Sequence, residues 1–364
     1  MCHTVRTRRE ALDGQGRCGL IVHAWSGWYE VATDDGRVLL CRPRGRLRSQ
    51  SRGWRDRRDT DRADAGLWSE EDEPDAGALF GSGTRAGAAR HTQARAETEG
   101  EAASPALLAG DRVRLAELGG GEGRIDAVEP RRTVLVRPPV ANVDLVLVVA
   151  AWDAPPWHPG LIDRTLVEAA RSGCAAALCL NKCDRLDAES GAAAGAALEP
   201  YRAAGYPVLL TSAANREGLD AIRALLAGRV AALAGPSGGG KSRLLAALSP
   251  EGGVGPSGAL SLRLRRGRHT TRSVRLLSLD DGGWVADTPG FSRLDLAGMG
   301  PEELAGWYPE FVAPAARCRF RGCLHADEPN CAVRAAVGDG AVDAGRYARY
   351  LELLAELRAV PPRW

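Results

Sequence analysis

Lysine is almost missing from this chain of 364 residues. It occurs as Lys182 and Lys241, while the other 46 of the 48 basic residues are arginine. Arginine therefore serves wherever a generic positive charge is wanted. A compact ammonium is kept where a forked guanidinium would not fit, as in a phosphate cradle. An excess of charge of either sign is missing too. The balance is +2, so bulk charge names no partner and any basic patch must be local. Long apolar runs are also lacking. The best, VDLVLVVAAW (143–152), carries Asp144 and falls well short of the roughly 18 residues of a membrane span, so it reads as a buried strand. The N-terminal MCHTVRTRRE has no apolar core, which argues against a secretory signal and for a cytoplasmic protein. Without such a signal, nine cysteines point to thiols and metal ligands rather than a disulfide framework.

The length allows two or three domains at roughly 150 residues each, and 45% hydrophobic residues can fill real cores. Residues 19–48 read as β-rich, with Asp35-Gly36 as a hairpin turn between two strands. The same texture resumes at 108–137. Between them, 49–105 is Arg-rich, then acidic, then small and polar. Such a composition cannot bury enough apolar surface to offset its ordering entropy, so it reads as a disordered insertion in one small barrel. That barrel, with the basic stripe CRPRGRLR (41–48), is of a kind that binds oligonucleotides; a solvated charge run is the alternative. From about 142, strands at 143–151, 176–181, 207–211 and 230–235 alternate with helices at 160–172, 190–204, 218–228 and 241–248. This βαβ texture implies a parallel sheet with ligands at the strand carboxyl ends. Near the C-terminus Tyr347, Tyr350, Leu351, Leu354 and Leu357 form a helical stripe that reads as core packing.

GPSGGGKS (235–242) has the phosphate-loop form G-x-x-x-x-G-K-[ST], between an apolar strand and a helix. Gly235, Pro236, Ser237, Gly238, Gly239, Gly240, Lys241, Ser242 and Arg243 are candidate nucleotide contacts. Backbone N–H groups would cradle phosphate, Lys241 would meet the β- and γ-phosphates, and Ser242 would ligate Mg²⁺. NKCD (181–184) has the guanine-reading form N-K-x-D. Asp184 would accept two hydrogen bonds from guanine, Asn181 would bond the base edge and Lys182 would lie over it. Adenine lacks that donor pair and would leave the carboxylate unpaired. Thr211-Ser212-Ala213, on the next strand, matches the loop that completes a guanine pocket. WVADTPGF (284–291) supplies Asp287 for Mg²⁺ and Gly290 to sense the γ-phosphate. Thr270 and Thr271 are candidates to complete the Mg²⁺ shell. Phe291 stands where many GTPases place a water-orienting Gln, which leaves His269 as the nearest polar candidate for catalysis. Cys318, Cys323, His325 and Cys331 are three thiols and an imidazole within 14 residues, a donor set suited to closed, structural, tetrahedral Zn²⁺. Cys174 and Cys179 read as small apolar core residues.

In chain order these motifs run N-K-x-D, S-A, phosphate loop, Thr switch, D-x-x-G, a cyclic shift of the usual GTPase order. Circular permutation keeps every strand in place while moving the termini. Here it makes the second switch lead directly into the cysteine cluster. With CRPRGRLR, RPPVANVD, LIDR, NKCD, GPSGGGKS, GRHTT, DTPGF and CLHADEPNCAV, the chain closely resembles the RsgA/YjeQ group of small-ribosomal-subunit-dependent GTPases. The resemblance implies an α/β fold: a circularly permuted P-loop GTPase domain (141–300), an N-terminal OB-type β-barrel that binds RNA (1–140), and a C-terminal helical zinc-binding domain (301–364). It also implies GTP hydrolysis to GDP stimulated by the 30S subunit, a late role in 30S maturation, contact with 16S rRNA, a monomer, one structural Zn²⁺, Mg²⁺ with GTP, and His269 as catalytic residue. Three departures stand out. Residues 49–105 interrupt the barrel, Gly239 makes the phosphate loop glycine-rich and looser, and Arg272 replaces a third threonine. Competing readings are a nucleotide-gated RNA-binding module without turnover and a P-loop ATPase or small-molecule kinase. Asp184 and Ser212-Ala213 argue against the latter.

Overall fold

The computed structural model describes residues 17–25, 27–45, 107–136, 138–249, 274–287, 296 and 298–359. The chain divides into two units, Met1–Pro43 with Leu108–Trp364, and Arg44–Leu107. Of the second unit only residues 44, 45 and 107 are described, so the insertion expected at 49–105 lies outside the described residues.

Five strands form the N-terminal part: β1 (Arg17–Trp25), β2 (Trp28–Thr33), β3 (Val38–Pro43), β4 (Arg112–Gly119) and β5 (Glu122–Val128). β1 pairs with β2 and β4, β3 with β2 and β5, and β4 with β5, so the strands close into a ring. Side chains two apart share one face of a strand. Leu39 and Cys41 on β3, and Val113 and Leu115 on β4, are accordingly all buried in its core. The expected turn is present: Gly36 takes φ 82°, and the Thr33 and Arg37 backbones are hydrogen-bonded across it. Closure removes sheet edges, as in OB-type barrels.

A hairpin, β6 (Val134–Val136) and β7 (Pro139–Ala141), leads into the α/β part. There follow β8 (Leu145–Ala150), helix α1 (Pro159–Arg171), β9 (Ala175–Leu180), α2 (Ala188–Ala203), β10 (Val208–Leu210), α3 (Leu219–Leu226), β11 (Val230–Ala234), α4 (Lys241–Leu248), β12 (Arg275–Ser278) and β13 (Trp284–Asp287). The expected strands and helices all appear, with ends moved by at most two residues. Their order across the sheet is β10-β9-β8-β11-β13-β12, parallel except for β12. β8 is buried throughout because both of its faces are covered. Val146, Val148 and Ala150 pack with Ile162, Leu166 and Leu198 of α1 and α2. Leu145, Leu147 and Val149 pack with Ile222, Leu226, Leu244 and Leu248 of α3 and α4. The chain moves outward from β8 in one direction and from β11 in the other. The topological switch point, where such sheets bind ligands, therefore lies between these two strands.

β1 also pairs with β12, His23 opposite Arg275, which continues the barrel into the α/β sheet. The C-terminal part is helical: α5 (Pro309–Ala315), α6 (Ala332–Gly338) and α7 (Ala344–Ala359). Its core holds Tyr308, Phe311, Tyr350, Leu354 and Leu357, with Tyr347 and Leu351 packed against it, so the aromatic and leucine stripe of α7 is core packing. α7 docks on α1 through buried charge. Asp163, fully buried, lies 2.8 Å from Arg346 and also binds Arg349, while Arg346 bonds Glu310. Among the described residues no helix is long and apolar enough to cross a membrane.

Candidate guanine-nucleotide site and metal cluster

The loops after β8, β9, β10, β11 and β13 leave from one edge of the sheet, because those strands are parallel. The loop after β11 carries Gly235 to Gly240 and feeds α4, which begins at Lys241. The Lys241 ammonium donates to the carbonyls of Gly235 (2.7 Å) and Pro236 (2.8 Å), and partial burial lowers its pKa. Ser242 and Arg243 occupy the exposed first turn of α4. Gly240 takes φ 95°, and a β-carbon there would meet the Asn181 side-chain nitrogen at 2.2 Å. A β-carbon at Gly239 would come within 2.9 Å of the Val149 carbonyl. The looseness expected at Gly239 is therefore not what its surroundings indicate. Glycine is there because β8 leaves no room for a side chain.

Asn181 ties three of these loops together. Its Nδ2 donates to the Gly239 carbonyl (3.2 Å) in the phosphate loop. Its Oδ1 accepts from the Thr211 hydroxyl (3.3 Å) and the Ala213 backbone N–H (3.1 Å) after β10. Asn181 is 2% exposed, and three of the four hydrogen bonds its amide can make are formed inside the protein. The Ser212 hydroxyl donates to Asp184 Oδ1, which fixes an otherwise exposed carboxylate. Lys182 adopts φ 66° and donates to the Ala154 carbonyl. Sequence reasoning passed over that loop after β8, residues 151–158. Its Asp153 pairs with Arg185 at 2.9 Å, and Pro155 stands 3.4 Å from where a Gly238 β-carbon would be. The available signal was Trp, Asp and two prolines directly after the most apolar strand, at the switch point.

Asp287 is the last residue of β13, two positions past the parallel pair Val285–Ala231, and so lies at the same edge as the phosphate loop. His269, Thr270, Thr271, Arg272, Gly290 and Phe291 lie outside the described residues. So do residues 46–48 of the basic stripe. Arg42, within it, sets its guanidinium 3.7 Å over the Trp28 ring.

The Cys318, Cys323, His325 and Cys331 donor atoms all lie within 4.8 Å of one another. Cys318 Sγ is 3.6 Å from His325 Nδ1 and 4.0 Å from Cys331 Sγ, and His325 Nδ1 is 3.4 Å from Cys331 Sγ. A tetrahedral ion with bonds of about 2.0–2.3 Å requires donors roughly 3.3–3.8 Å apart. The cluster fits such an ion, and its sulfurs are too far apart for a disulfide. The surroundings hold the donors in place. Tyr347 donates to the His325 carbonyl at 2.7 Å, and Glu328 accepts from the N–H groups of Leu324 (2.8 Å) and Ala326 (2.9 Å). Cys174 and Cys179 instead sit in the apolar core, where burial pushes their thiols up to about 11 and about 12.

The sequence profile of the RsgA GTPase family matches residues 128–297. A small ribosomal subunit biogenesis GTPase RsgA of Moorella thermoacetica is 47% identical over 253 residues, 70% of this chain and 86% of that protein. The chain belongs to the RsgA GTPase family. A like-named protein of Geobacillus thermodenitrificans is 42% identical over 257 residues, 71% of this chain and 87% of its own length. Among solved structures, YjeQ from Thermotoga maritima matches with TM-score 0.71 at 28% identity, over 95% of this chain and 100% of its own. YloQ, described as a circularly permuted GTPase, matches with TM-score 0.69 at 29% identity, over 98% and 100%. This RsgA-family chain is thus a GTP hydrolase with a circularly permuted α/β GTPase fold, an N-terminal five-stranded barrel and a C-terminal helical part bearing a Cys₃His cluster.

Proposed function

We propose that the chain binds GTP at the β8/β11 switch point and hydrolyses it to GDP and phosphate during late maturation of the small ribosomal subunit, stimulated by that subunit. The observation that carries the reading is Asn181, whose amide joins the N-K-x-D, S-A and phosphate loops in one buried hydrogen-bonded unit. Asp184, held by Ser212, accepts from guanine. Asn181 sets the loop positions and bonds the base edge, Lys182 covers the base and Ala213 lines its edge. Backbone N–H groups from Ser237 to Lys241 cradle the phosphates, with Gly235, Pro236, Gly238, Gly239 and Gly240 giving close approach. Lys241 exchanges its two carbonyl partners for phosphate oxygens. Ser242 and Asp287, with Thr270 or Thr271, would hold Mg²⁺, which would supply positive charge to neutralise the phosphates. Gly290 senses the γ-phosphate, and His269 orients the water that Phe291 cannot.

The ion held by the four C-terminal donors is Zn²⁺ in a structural role, since no position is left for substrate. The division of labour follows the sequence regions: 1–140 for 16S rRNA, 141–300 for GTP, 301–364 for zinc. The protein acts as a cytoplasmic monomer on the 30S subunit. Its relatives named as small ribosomal subunit biogenesis GTPases support this assignment. The decisive experiment is GTP hydrolysis by the pure protein, at fixed salt, with and without 30S or 50S subunits. Strong stimulation by 30S alone is expected. GTP binding without any 30S stimulation would replace this reading with a nucleotide-gated binding module.

A further inference from the structure

Among the described residues, β1–β12 is the strand pairing that joins the barrel ring to the α/β sheet. It is short, and a cluster of polar side chains surrounds it. Arg275 on β12 places Nη2 2.9 Å from Glu30 Oε2 on β2 and 3.1 Å from His23 Nδ1 on β1. Glu30 is 3% exposed and the Arg275 side chain 16%. The pair is incompletely satisfied: the contact is an ion pair without hydrogen-bond alignment, and both Glu30 carboxylate oxygens and Arg275 Nη1 are buried without hydrogen-bond partners. A well-packed apolar pair would hold such a junction at least as firmly, so stability alone does not explain a buried carboxylate and guanidinium here. Buried charges restrict a joint to arrangements in which they meet, which is what a two-position element requires.

The position of Arg275 gives the joint its input and output. Its cross-strand neighbour on the other side is Asp287, the final residue of β13. In sequence it follows Thr271 by four residues. It therefore sits on the strand between the two segments that carry the candidate Mg²⁺ and γ-phosphate contacts. On the barrel side, Glu30 and Trp28 are two residues apart on β2, and so on one face of it. Trp28 bears the Arg42 guanidinium. A shift of β12 along β13 would thus be felt at Glu30, and next at the aromatic and basic surface of the barrel.

We propose that the Glu30–Arg275 pair, with His23 beside it, is the positioning element through which the nucleotide site and the barrel sense one another. This rests on the GTP-site assignment above. The coupling is reciprocal by thermodynamic necessity: if bound GTP favours one barrel arrangement, whatever binds that arrangement favours GTP. Glu30 and Arg275 touch no reacting atom, and their effect is exerted through β12.

The test is amide hydrogen exchange on the full chain, saturated first with GDP and then with a non-hydrolysable GTP analogue. Peptides covering β1 and β2 should differ between the two states by about 5-fold or more in protection, the lower end of ordinary allosteric couplings. The paired variant Glu30→Gln with Arg275→Gln leaves no lone buried charge. It should keep nucleotide affinity and the exchange difference in β13 while losing the difference in β1 and β2. Should that variant not fold, the reversed pair Glu30→Arg with Arg275→Glu is used, and it should restore the difference. Equal β1 and β2 exchange in the two nucleotide-bound states of the unaltered protein would overturn the coupling. So would a folded Gln/Gln variant that keeps the barrel difference, or a folded reversed pair that lacks it. Failure of either nucleotide to bind would overturn the GTP-site assignment itself, and the coupling with it.

Discussion

Two side chains show how much one residue carries here. Asp184 stands exposed and steadied by the Ser212 hydroxyl, and under the proposed function it receives the guanine edge. Asp184→Asn puts an amide donor where the base presents donors. Preference should move from GTP toward xanthosine triphosphate, with GTP affinity down about 10-fold or more for one lost charged hydrogen bond. A competition assay reads this, and unchanged preference for GTP would remove Asp184 from the base pocket. His23 is the second case. Burial first, and then the neighbouring Arg275, lower its pKa from 6.5 to about 4. The unfolded chain therefore binds the extra proton between pH 4 and 6.5 while the folded chain does not. Stability from this residue is full above pH 6.5 and is lost as pH falls toward 4, by at most about 3 kcal/mol. Glu30, Arg275 and Trp25 face the imidazole. The difference in unfolding free energy between the unaltered protein and His23→Gln should shrink from pH 7 to pH 4.5. A constant difference would contradict the assignment.

At the scale of elements, helix α7 is held to α1 by a charge cluster as well as by its apolar stripe. Burial pushes the Asp163 carboxyl up, while Arg346 and Arg349 pull it down. The Arg346 guanidinium is ringed by Tyr201, Tyr206 and Tyr308 at 4.9–5.7 Å. Asp163→Asn leaves two arginines sharing the cluster with Glu310 alone. About 3–5 kcal/mol of stability should be lost, as when one partner of a buried pair is removed, and urea unfolding measures it. A loss under 1 kcal/mol would mean that Glu310 suffices. The metal loop depends on different forces. If the four donors hold the proposed zinc, Cys323→Ser should abolish stoichiometric zinc by elemental analysis and raise proteolytic sensitivity across residues 318–331, since metal binding and local folding are coupled in such sites. Full zinc content in that variant would sink the ligand set. Elements were also the best-read level of the sequence. β8, β9 and β11 are apolar runs of five or six residues, the last two ending at base- and phosphate-loop motifs, and α7 has a helical stripe. The loop 151–158 escaped notice because its contact with Lys182 goes through a backbone carbonyl, which every residue possesses.

For the whole molecule, residue types and spacing settled the chemistry. Two lysines among 48 basic residues fall in the N-K-x-D and phosphate-loop motifs, the motif order shows the permutation, and three cysteines with a histidine mark a cluster able to hold a metal ion. These could be read in one dimension because each motif is local: a loop's backbone shape and its ligand set are encoded within about 14 residues. What joins the parts was decided only in three dimensions. Asn181 meets Gly239 across 58 positions, Asp163 meets Arg346 across 183, and Arg275 meets His23 across 252. No local pattern in the sequence announces these contacts. Each depends on which strands become neighbours, and that follows from burying the apolar faces of β1, β8 and β11 all at once, a property of the folded chain as a whole.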